Sequence, residues 1–442
     1  MHTRNLRVQA SFFLSIICSF QSALSAASYR ISTLALSGEI AVGTEGGVYK
    51  DLGAPLLNDH GAVAYYGLLK RGVGDATVDR LTGIWTESGL LVRAGDVAPG
   101  SGGARFSSVY PEMISNSGNV LNAAGLVVGT GDATEENAGG LWVNDGPVVR
   151  LGESAKGTTG AVYNNYAASW LNSSGTVPYW GSLTLGLGDT TSSNDLGLWS
   201  GSELIVRKGD GAPGTEGATY DWFQIPAIND RGDIAYLGSL NIGVGDTVPK
   251  NSSGLWTRDG LVVRSGSIAA GTVDARYVLF LPPSINEHGL LAYYAQLDTA
   301  ENWAGIWTSQ QLVARTGAEA PGIPGAEFDS FDWNPSLNDA GDVAFRAGLR
   351  LGTGDVLNAN NEGIWTSDGI VVRKGDLIEV SPGKWLAVTG LSLSDSAIDN
   401  SGQIAFWAQF KGGIQGAFLA TPVPESSSAV LLLLGLIGFK SV

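Results

Sequence analysis

Apolar and polar residues alternate along this chain in short runs that end at Gly, Asn or Asp, and no long stretch keeps a helical period. Runs such as "GDIAYLGSL" and "GLVVR" have the length and branched side chains of half-buried strands. The turns "NDRG" and "TRDG" supply residues that tolerate the positive φ of tight hairpins. The pattern therefore predicts an all-β protein with little helix.

These runs recur as a repeat with two markers. The first is Gly-Ile-Trp or Gly-Leu-Trp, whose tryptophans are spaced by 57, 57, 57, 51 and 58 residues: Trp85, Trp142, Trp199, Trp256, Trp307 and Trp365. The second, N-x-x-G-x-(apolar)-A-(aromatic), begins at Asn58, Asn229, Asn286 and Asn338, with weaker copies at Ser115, Asn172 and Asp399. Each unit contains four strand-like runs. Seven such units with a period near 57 predict the four-stranded antiparallel blades of a seven-bladed β-propeller.

The two ends of the repeat complete one another. Residues Ile31 to Ser37 read as a fourth strand, and the last unit stops after its third strand, at "GAFLA" around Phe418. Joining them closes the ring and hides the edges that an open sheet would expose. We therefore expect a propeller over residues 27–420 whose N-terminal strand is the outermost strand of the last blade. The two long connections of each unit, the "GVGDTVPKNSSG" type and the "GDVAPGSGGARF" type, are both candidates for the crossing between blades.

Residues 1–26 have the anatomy of a secretory signal peptide. Arg4 and Arg7 precede an apolar run, which is followed by small residues. The run is too short to span a bilayer, which disfavours a membrane anchor. Cys18, the one cysteine of the sequence, lies in this segment, so the mature chain is predicted to be stable without a disulfide.

Residues 421–442 contain a short motif, Val423, Pro424 and Glu425, then an apolar run and Lys440. This end resembles the PEP-CTERM sorting tail of bacterial exported proteins. The resemblance implies processing at that motif, the export and sorting machinery as partners, and a transient association of the tail with a membrane. The alternative is a short hydrophobic tail without a sorting role.

The repeat itself resembles a family of bacterial exported proteins named for tandem NxxGxxAF repeats and variable anchoring tails, the choice-of-anchor proteins. "NDAGDVAF" at residues 338–345 matches that motif in full. The resemblance implies a secreted or cell-surface protein and brings no known activity or catalytic residue.

Composition excludes one class of partner. The formal net charge of the 442 residues is −16, whereas nucleic-acid binding needs clustered Lys and Arg. The chain has only three histidines and none of the familiar hydrolase or nucleotide-binding motifs, so no catalytic residue is predicted.

Two residues that recur in the repeat are interpreted as structural: the tryptophan of the first marker and the arginine of the strand-like run that follows it. The tryptophans, in register through the repeat, are expected to pack the blades. The arginine of "VVR" recurs as Arg93, Arg150, Arg207, Arg264, Arg315 and Arg373. We expect each to pair with a nearby acid such as Asp96 or Asp210 on an edge strand, the alternative being a ring that binds anions.

A metal hypothesis comes from the loop G-x-G-D-x4-N-x2-G. Its acidic residues are candidate Ca²⁺ ligands, because calcium prefers carboxylate, amide and turn carbonyl oxygens: Asp75, Asp132, Asp189, Asp246 and Asp355. Four of these loops carry an Asn five residues on, and plain turns need the same residues. No other cofactor is predicted.

Function is predicted as non-catalytic binding of an extracellular polysaccharide or surface protein by the propeller, with a carbohydrate-active hydrolase or lyase as the alternative. The candidate stacking platforms for a glycan are four tryptophans outside the first marker: Trp222, Trp303, Trp333 and Trp385.

Overall fold

The computed structural model describes residues 28–144 and 146–423. Seven antiparallel sheets form the blades of a β-propeller, and the one helical element of the described chain is a single 3-10 turn, Pro249–Asn251. The predicted fold class is confirmed. No helix in these residues is long and apolar enough to cross a membrane.

The first strand is β1 (Ser28–Leu36), which belongs to the last blade. Blade 1 contains β2 (Tyr49–Leu52), β3 (Leu56–Leu57), β4 (Val63–Leu69), β5 (Thr82–Thr86) and β6 (Gly89–Arg93). Blade 2 contains β7 (Phe106–Ile114), β8 (Val120–Leu126), β9 (Gly139–Val143) and β10 (Gly146–Arg150). Blade 3 contains β11 (Tyr163–Ala167), β12 (Pro178–Leu183), β13 (Leu196–Ser200) and β14 (Glu203–Arg207).

Blade 4 contains β15 (Tyr220–Phe223), β16 (Ala227–Ile228), β17 (Ile234–Leu240), β18 (Ser253–Thr257) and β19 (Gly260–Arg264). Blade 5 contains β20 (Tyr277–Phe280), β21 (Ser284–Ile285), β22 (Leu291–Leu297), β23 (Ala304–Thr308) and β24 (Leu312–Arg315). Blade 6 contains β25 (Phe328–Phe331), β26 (Ser336–Leu337), β27 (Val343–Leu349), β28 (Glu362–Thr366) and β29 (Gly369–Arg373). Blade 7 contains β30 (Leu377–Ser381), β31 (Lys384–Ser392), β32 (Ile404–Phe410) and β33 (Gln415–Val423).

The strand order settles which connection crosses between blades. In blade 4, β17 pairs with β18, so the "GVGDTVPKNSSG" loop joins the second and third strands of one sheet. The "GDGAPGTEGA" loop follows β14 of blade 3 and leads to β15 of blade 4, so this type is the crossing. Both long loops therefore lie on one face of the ring, the loop face. The N-x-x-G turns and the turns between third and fourth strands lie on the other, the turn face.

The ring closes as predicted. β1 pairs with β33 from Ser28 opposite Val423 to Leu36 opposite Gly416, which places β1 at the outer edge of blade 7. A Cβ built on Gly402, in the turn before β32, would lie 3.3 Å from Pro422. Since this turn belongs to the turn face, β33 ends at the turn face. β33 runs to Val423, three residues past the predicted boundary of the propeller. Pro424 and Glu425, and the predicted signal peptide, lie outside the described residues.

The marker tryptophans form the repeated core. All six are fully buried, and the indole of Trp85 packs edge-on against Tyr49 with ring centroids 5.0 Å apart. A Cβ added at Gly83 would lie 2.8 Å from the ring of Trp85, which explains the glycine two residues before the tryptophan. The interpretation of these tryptophans as packing residues is confirmed.

Blade 7 departs from the repeat. β30 and β31 form a hairpin where the other blades have the crossing loop, and Ser381 pairs with Lys384 across its turn. The oxygen Oγ1 of Thr33 in β1 donates to the carbonyl of Val380 at 3.1 Å, so the hairpin also contacts the closing strand.

The closure predicts that β1 is needed for the stability of the whole ring. A chain that starts at Ser37 leaves β33 as an unpaired edge and uncovers the buried core beside Leu36. We expect its midpoint of thermal unfolding to fall by about 10 °C or more relative to a chain that starts at Ser28. Equal, cooperative melting of the two chains in differential scanning calorimetry would show that closure does not depend on β1.

Candidate functional site

The marker asparagines tie neighbouring blades together around the axis. In five places the side-chain amide donates to the backbone carbonyl of the equivalent residue in the next blade: Asn58 to Ser115 at 2.8 Å, Asn172 to Asn229 at 3.4 Å, Asn229 to Asn286 at 2.9 Å, Asn286 to Asn338 at 3.0 Å and Asn338 to Asp399 at 3.1 Å. These asparagines are buried. The conserved spacing of the marker along this chain thus reflects a ring of blade-to-blade hydrogen bonds.

The residues that follow the asparagines make a second ring, on the turn face. Here a backbone N–H donates to the side-chain oxygen of the next blade: Asp59 to Asn116 at 2.9 Å, Ser173 to Asp230 at 2.5 Å, Asp230 to Glu287 at 2.6 Å, Glu287 to Asp339 at 2.9 Å and Asp339 to Asn400 at 2.9 Å. Burial and then repulsion between the carboxylates raise the pKa of both Asp59 and Glu287. The carboxylate of Glu287 accepts the backbone N–H of Asp230, and that of Asp59 accepts the side-chain amide of Asn116 at 2.9 Å, so both carboxylates already have partners within the ring.

The axial cavity between the inner strands is narrow. It has a volume of about 60 Å³ and is lined by apolar residues of the inner strands, among them Ile228 and Ile285, and by polar residues of the two rings, among them Asp230 and Glu287. This is room for a few water molecules and is well below the usual size of a ligand pocket. The axis itself is therefore no binding site for a saccharide.

Blades 6 and 7 depart from the repeat beside this cavity. Nine residues separate Tyr220 from Asn229 in blade 4, but ten separate Phe328 from Asn338 and eleven separate Val388 from Asp399. The starting residues used in this count are equivalent, because each pairs with the last residue of the second strand of its blade. Tyr220 lies opposite Leu240, and Phe328 lies opposite Leu349. The extra residues are therefore inserted in the middle of the inner strands of blades 6 and 7.

These insertions build an open cavity of about 290 Å³, called here the aromatic cavity. Its lining consists of Asp332, Trp333, Asn334, Arg346, Leu393 and Asp395. The indole of Trp333 is 71% exposed. The side-chain amide of Asn334 donates to Oδ1 of Asp395 at 2.6 Å, which links the two insertions.

Arg346 supports the aromatic cavity from the second strand of blade 6. Its guanidinium contacts Asp332 at 2.6 Å and Glu362 at 2.8 Å. Although burial opposes the charge, the two carboxylates raise the pKa of Arg346. Glu362 also accepts the backbone N–H of Leu391 at 3.1 Å, so the arginine network connects blade 6 to blade 7.

A second carboxyl group approaches Asp395 from blade 2. Glu112 occupies the position that is proline in four other blades, as at Pro226. Burial, followed by repulsion from Asp395, raises the pKa of Glu112 to about 7. Burial also raises the pKa of Asp395. A carboxyl group whose pKa is raised in this way is suited to act as a general acid or base near neutral pH.

Of the four predicted platforms, the structure places only Trp333 in the aromatic cavity. Trp222 lies on the inner strand β15 and is 39% exposed, Trp303 lies in the short loop before β23, and Trp385 lies on the β30–β31 hairpin. The four are thus distributed over blades 4 to 7 and do not form one stacked row. Their role in glycan binding stays a prediction.

The candidate calcium ligands lie in the loops between second and third strands, each against an arginine of the fourth strand. The shortest oxygen–nitrogen distances are Asp75 to Arg93 at 2.7 Å, Asp132 to Arg150 at 2.9 Å, Asp189 to Arg207 at 2.8 Å, Asp246 to Arg264 at 2.5 Å and Asp355 to Arg373 at 2.9 Å. The hydrogen bond from the arginine lowers the pKa of Asp189 and Asp246. The asparagine of the loop closes its turn, as where Asn137 donates to the carbonyl of Asp132 at 3.0 Å.

The predicted partners of these arginines were wrong in detail. The side chain of Arg93 pairs with Asp75, whereas Asp96 accepts the backbone N–H of Arg93 at 2.9 Å. Arg207 shows the same arrangement. Its side chain pairs with Asp189, and its backbone N–H donates to Asp210 at 2.7 Å. The reason is topological, because the loop between the second and third strands folds back over the fourth strand.

Within the described ranges, 28–144 and 146–423, no group of three or more His, Cys, Asp or Glu is arranged to hold a metal ion. In each candidate loop the carboxylate of the predicted ligand is matched by an arginine. The calcium hypothesis stays a prediction.

A family model matches this chain over residues 19–200, 144–311 and 205–430, which together span the whole repeat. Its description is "Family of unknown function (DUF7453)". The chain belongs to this family. The three matches to the DUF7453 model overlap along the chain. Such overlap is expected for a tandem repeat, because the model can align with it at several offsets.

Among solved structures, this DUF7453 chain is similar to one described as "Structure of Dos1 propeller". The identity is 11% and the TM-score 0.28, over 87% of this chain and 95% of that chain. A likeness at this level carries no argument about function, and the propeller assignment rests on the strand order given above. No curated protein matches the chain.

The arginine–aspartate pairs predict a stability effect. Asp75→Ala leaves the guanidinium of Arg93, which is fully buried, without its charge partner. Because Asp75 itself is partly exposed, we expect a loss of about 2 kcal/mol in the free energy of unfolding, below the range for fully buried pairs. Arg315→Met is the control, since Arg315 of blade 5 forms no ion pair of the kind that its equivalents form in the described chain, and it should change stability by less than about 0.5 kcal/mol. Equal effects in urea denaturation would contradict the role of the pair.

The raised pKa of Glu112 predicts a pH dependence. Between its ordinary pKa and about 7, the folded state binds the proton more tightly than the unfolded state, so stability falls as the pH rises through this window. Relative to Glu112→Gln, the wild type should lose about 2 kcal/mol of unfolding free energy between pH 5 and pH 8. Parallel pH profiles of the two proteins in urea denaturation would rule out the coupling.

Proposed function

We propose that this protein is an exported, non-catalytic β-propeller that binds extracellular polysaccharide at the aromatic cavity of blades 6 and 7. The observation that carries the proposal is the exposed indole of Trp333 beside Asp332, Asn334 and Asp395, at insertions that break the repeat. Residues that only maintain a repeated fold follow the repeat, whereas these do not.

The chemistry of the aromatic cavity suits a sugar ring. The apolar C–H face of a pyranose stacks on an indole, and carboxylate and amide groups at the edge of the indole accept and donate hydrogen bonds to its hydroxyls. Asn334 and Asp395 are held by their mutual hydrogen bond, and Arg346 holds Asp332. Polar groups fixed in this way lose little side-chain entropy when a ligand binds.

Export is proposed from the two ends of the sequence, whose predicted signal peptide and sorting tail lie outside the described residues. The ends of the described propeller are compatible with this arrangement, because Ser28 and Val423 pair with one another at the turn face. A tail that continues from Val423 and is retained at a cell surface would leave the loop face directed outwards.

A second function is favoured by one observation, the carboxyl pair of Glu112 and Asp395. Two carboxyl groups, one of them with a pKa of about 7, are the minimum equipment for acid–base cleavage of a glycosidic bond. The alternative is therefore a hydrolase or lyase that acts on the polysaccharide bound at Trp333. We prefer binding, because of the two carboxyl groups only Asp395 lines the aromatic cavity.

A glycan array with two matched variants tests the proposal. Trp333→Ala should weaken binding about tenfold or more, because it removes the stacking surface. Trp385→Ala, also an exposed tryptophan but on the β30–β31 hairpin, should bind as the wild type does. The reverse pattern would place the site elsewhere.

The same polysaccharides are then incubated with wild type and with Glu112→Gln while reducing ends and unsaturated products are measured. Binding without release supports the non-catalytic function. Release that is lost in Glu112→Gln would establish the enzyme instead.

A further inference from the structure

The aromatic cavity carries more negative than positive charge. Its lining contains two carboxylates, those of Asp332 and Asp395, and Arg346 is the one basic residue among the described residues that line it. The carboxylate of Glu362 contacts the same guanidinium at 2.8 Å, so three carboxylates surround a single cation at this site. Glu112 lies outside the lining but close enough to Asp395 for repulsion between the two carboxyl groups to raise its pKa. The cavity therefore favours a positively charged ligand over a negatively charged one.

The guanidinium of Arg346 is already engaged by the protein. Its nitrogen Nη1 donates to Oδ1 of Asp332 at 2.6 Å, and Nη2 donates to Oε2 of Glu362 at 2.8 Å. The third nitrogen, Nε, is buried without a partner among the described residues. A sugar with a carboxylate or sulfate group would thus have to compete with two fixed carboxylates for this cation. The cavity disfavours acidic polysaccharides for this reason.

Asp395 keeps one acceptor that the protein does not use. Its oxygen Oδ1 accepts the side-chain amide of Asn334 at 2.6 Å, whereas Oδ2 accepts no hydrogen bond from the described residues. Oδ2 also differs from Nε of Arg346 in that it is not closed off from solvent. Because burial disfavours the charged form of Asp395, a cationic donor at Oδ2 would compensate the carboxylate better than a neutral hydroxyl.

The indole of Trp333 is suited to the same class of ligand. It is 71% exposed and lies in one cavity with Asp332 and Asp395. The face of an indole packs against the C–H groups of a pyranose, and its negative potential also attracts a cation. A sugar ring that carries an ammonium group has both features, whereas a neutral sugar has only the first.

We propose that the polysaccharide bound at the aromatic cavity is an amino-sugar polymer with free amino groups, whose ammonium contacts Oδ2 of Asp395 while the pyranose ring stacks on Trp333. This inference rests on the function proposed above and specifies its ligand. The formal net charge of the chain, −16, also favours the approach of a polycation. An acetylated amino sugar retains the ring but loses the charge, which makes it the natural comparison.

Three hexasaccharides test the proposal, those of glucosamine, N-acetylglucosamine and galacturonic acid. Their binding is measured by isothermal titration calorimetry at pH 6, where the amino groups are protonated. The glucosamine hexamer should bind about tenfold more tightly than the N-acetylglucosamine hexamer, because a hydrogen bond to a charged group replaces a neutral one. The galacturonic acid hexamer should bind most weakly. Trp333→Ala should weaken the binding of the glucosamine hexamer about tenfold, which separates the site from general attraction to an acidic protein.

Two matched variants locate the charge that sets the preference. Asp395→Asn removes one negative charge from the aromatic cavity and should lose most of the preference for glucosamine over N-acetylglucosamine. Asp274→Asn removes the same charge from an exposed position between β19 and β20 and should keep the preference. Asp332→Asn is an independent variant, because it leaves Nη1 of Arg346 without its carboxylate and should strengthen the binding of the galacturonic acid hexamer. The midpoint of thermal unfolding shows whether each variant is folded.

The outcomes separate this inference from the function on which it rests. Binding of the N-acetylglucosamine or galacturonic acid hexamer that depends on Trp333 and is as tight as that of the glucosamine hexamer would overturn the amino-sugar assignment and leave the proposed function standing. Equally tight binding of hexalysine, a polycation without a sugar ring, that also depends on Trp333 would identify a basic protein segment instead. If no probe bound in a manner that depends on Trp333, both the proposed function and the inference would be wrong.

Discussion

The fold depends on one interaction that is repeated six times, the hydrogen bond from a buried tryptophan to the crossing loop. The indole N–H of Trp199 donates to the carbonyl of Lys156 at 2.8 Å, across 43 residues of sequence. A buried indole without a partner would be unfavourable, so the loop must return to this point in each blade. The same ring lies directly over Gly197, where a Cβ would be 2.9 Å away, and so fixes the glycine as well as the loop. The period of the sequence is thus the length of chain needed to make this bond once per blade.

The fold was predictable from the sequence because such constraints are the same in every unit. Closure by Ile31 to Ser37 against "GAFLA" followed from the phase of the repeat alone and is confirmed. The role of the marker asparagines was not predicted, because a donor that reaches the next blade, such as Asn229 to Asn286, connects residues 57 positions apart. The sequence shows that the asparagine recurs at one position of the repeat. It does not distinguish an asparagine that forms a turn from one that donates to the next blade, because both would recur with the same spacing.

The arginine–aspartate pairs show where local reasoning is insufficient. Asp96 is closer than Asp75 to Arg93 in sequence and does contact it, but through the backbone. The side chain reaches Asp75 at 2.7 Å because the long loop folds over the fourth strand, and no local pattern contains that information. The same loop composition of Gly, Asp and Asn also led to the calcium hypothesis, since metal sites and turns draw on the same residues.

The candidate sites follow the opposite rule, because they are recognisable only where the repeat is broken. Trp333 was identified from the sequence as an aromatic residue out of register, whereas Glu112 and Asp395 were not, although both stand at positions that alignment of the inner strands marks as irregular. Glu112 replaces a proline, and Asp395 lies in an insertion of two residues. A closed ring tolerates such changes because each blade packs around its own buried aromatic residue, a tryptophan in six blades and Phe418 in blade 7, and contacts both neighbours. Irregular residues at the axis or in one groove therefore weaken only their own contacts, which leaves these positions free to acquire chemistry that the repeat does not require.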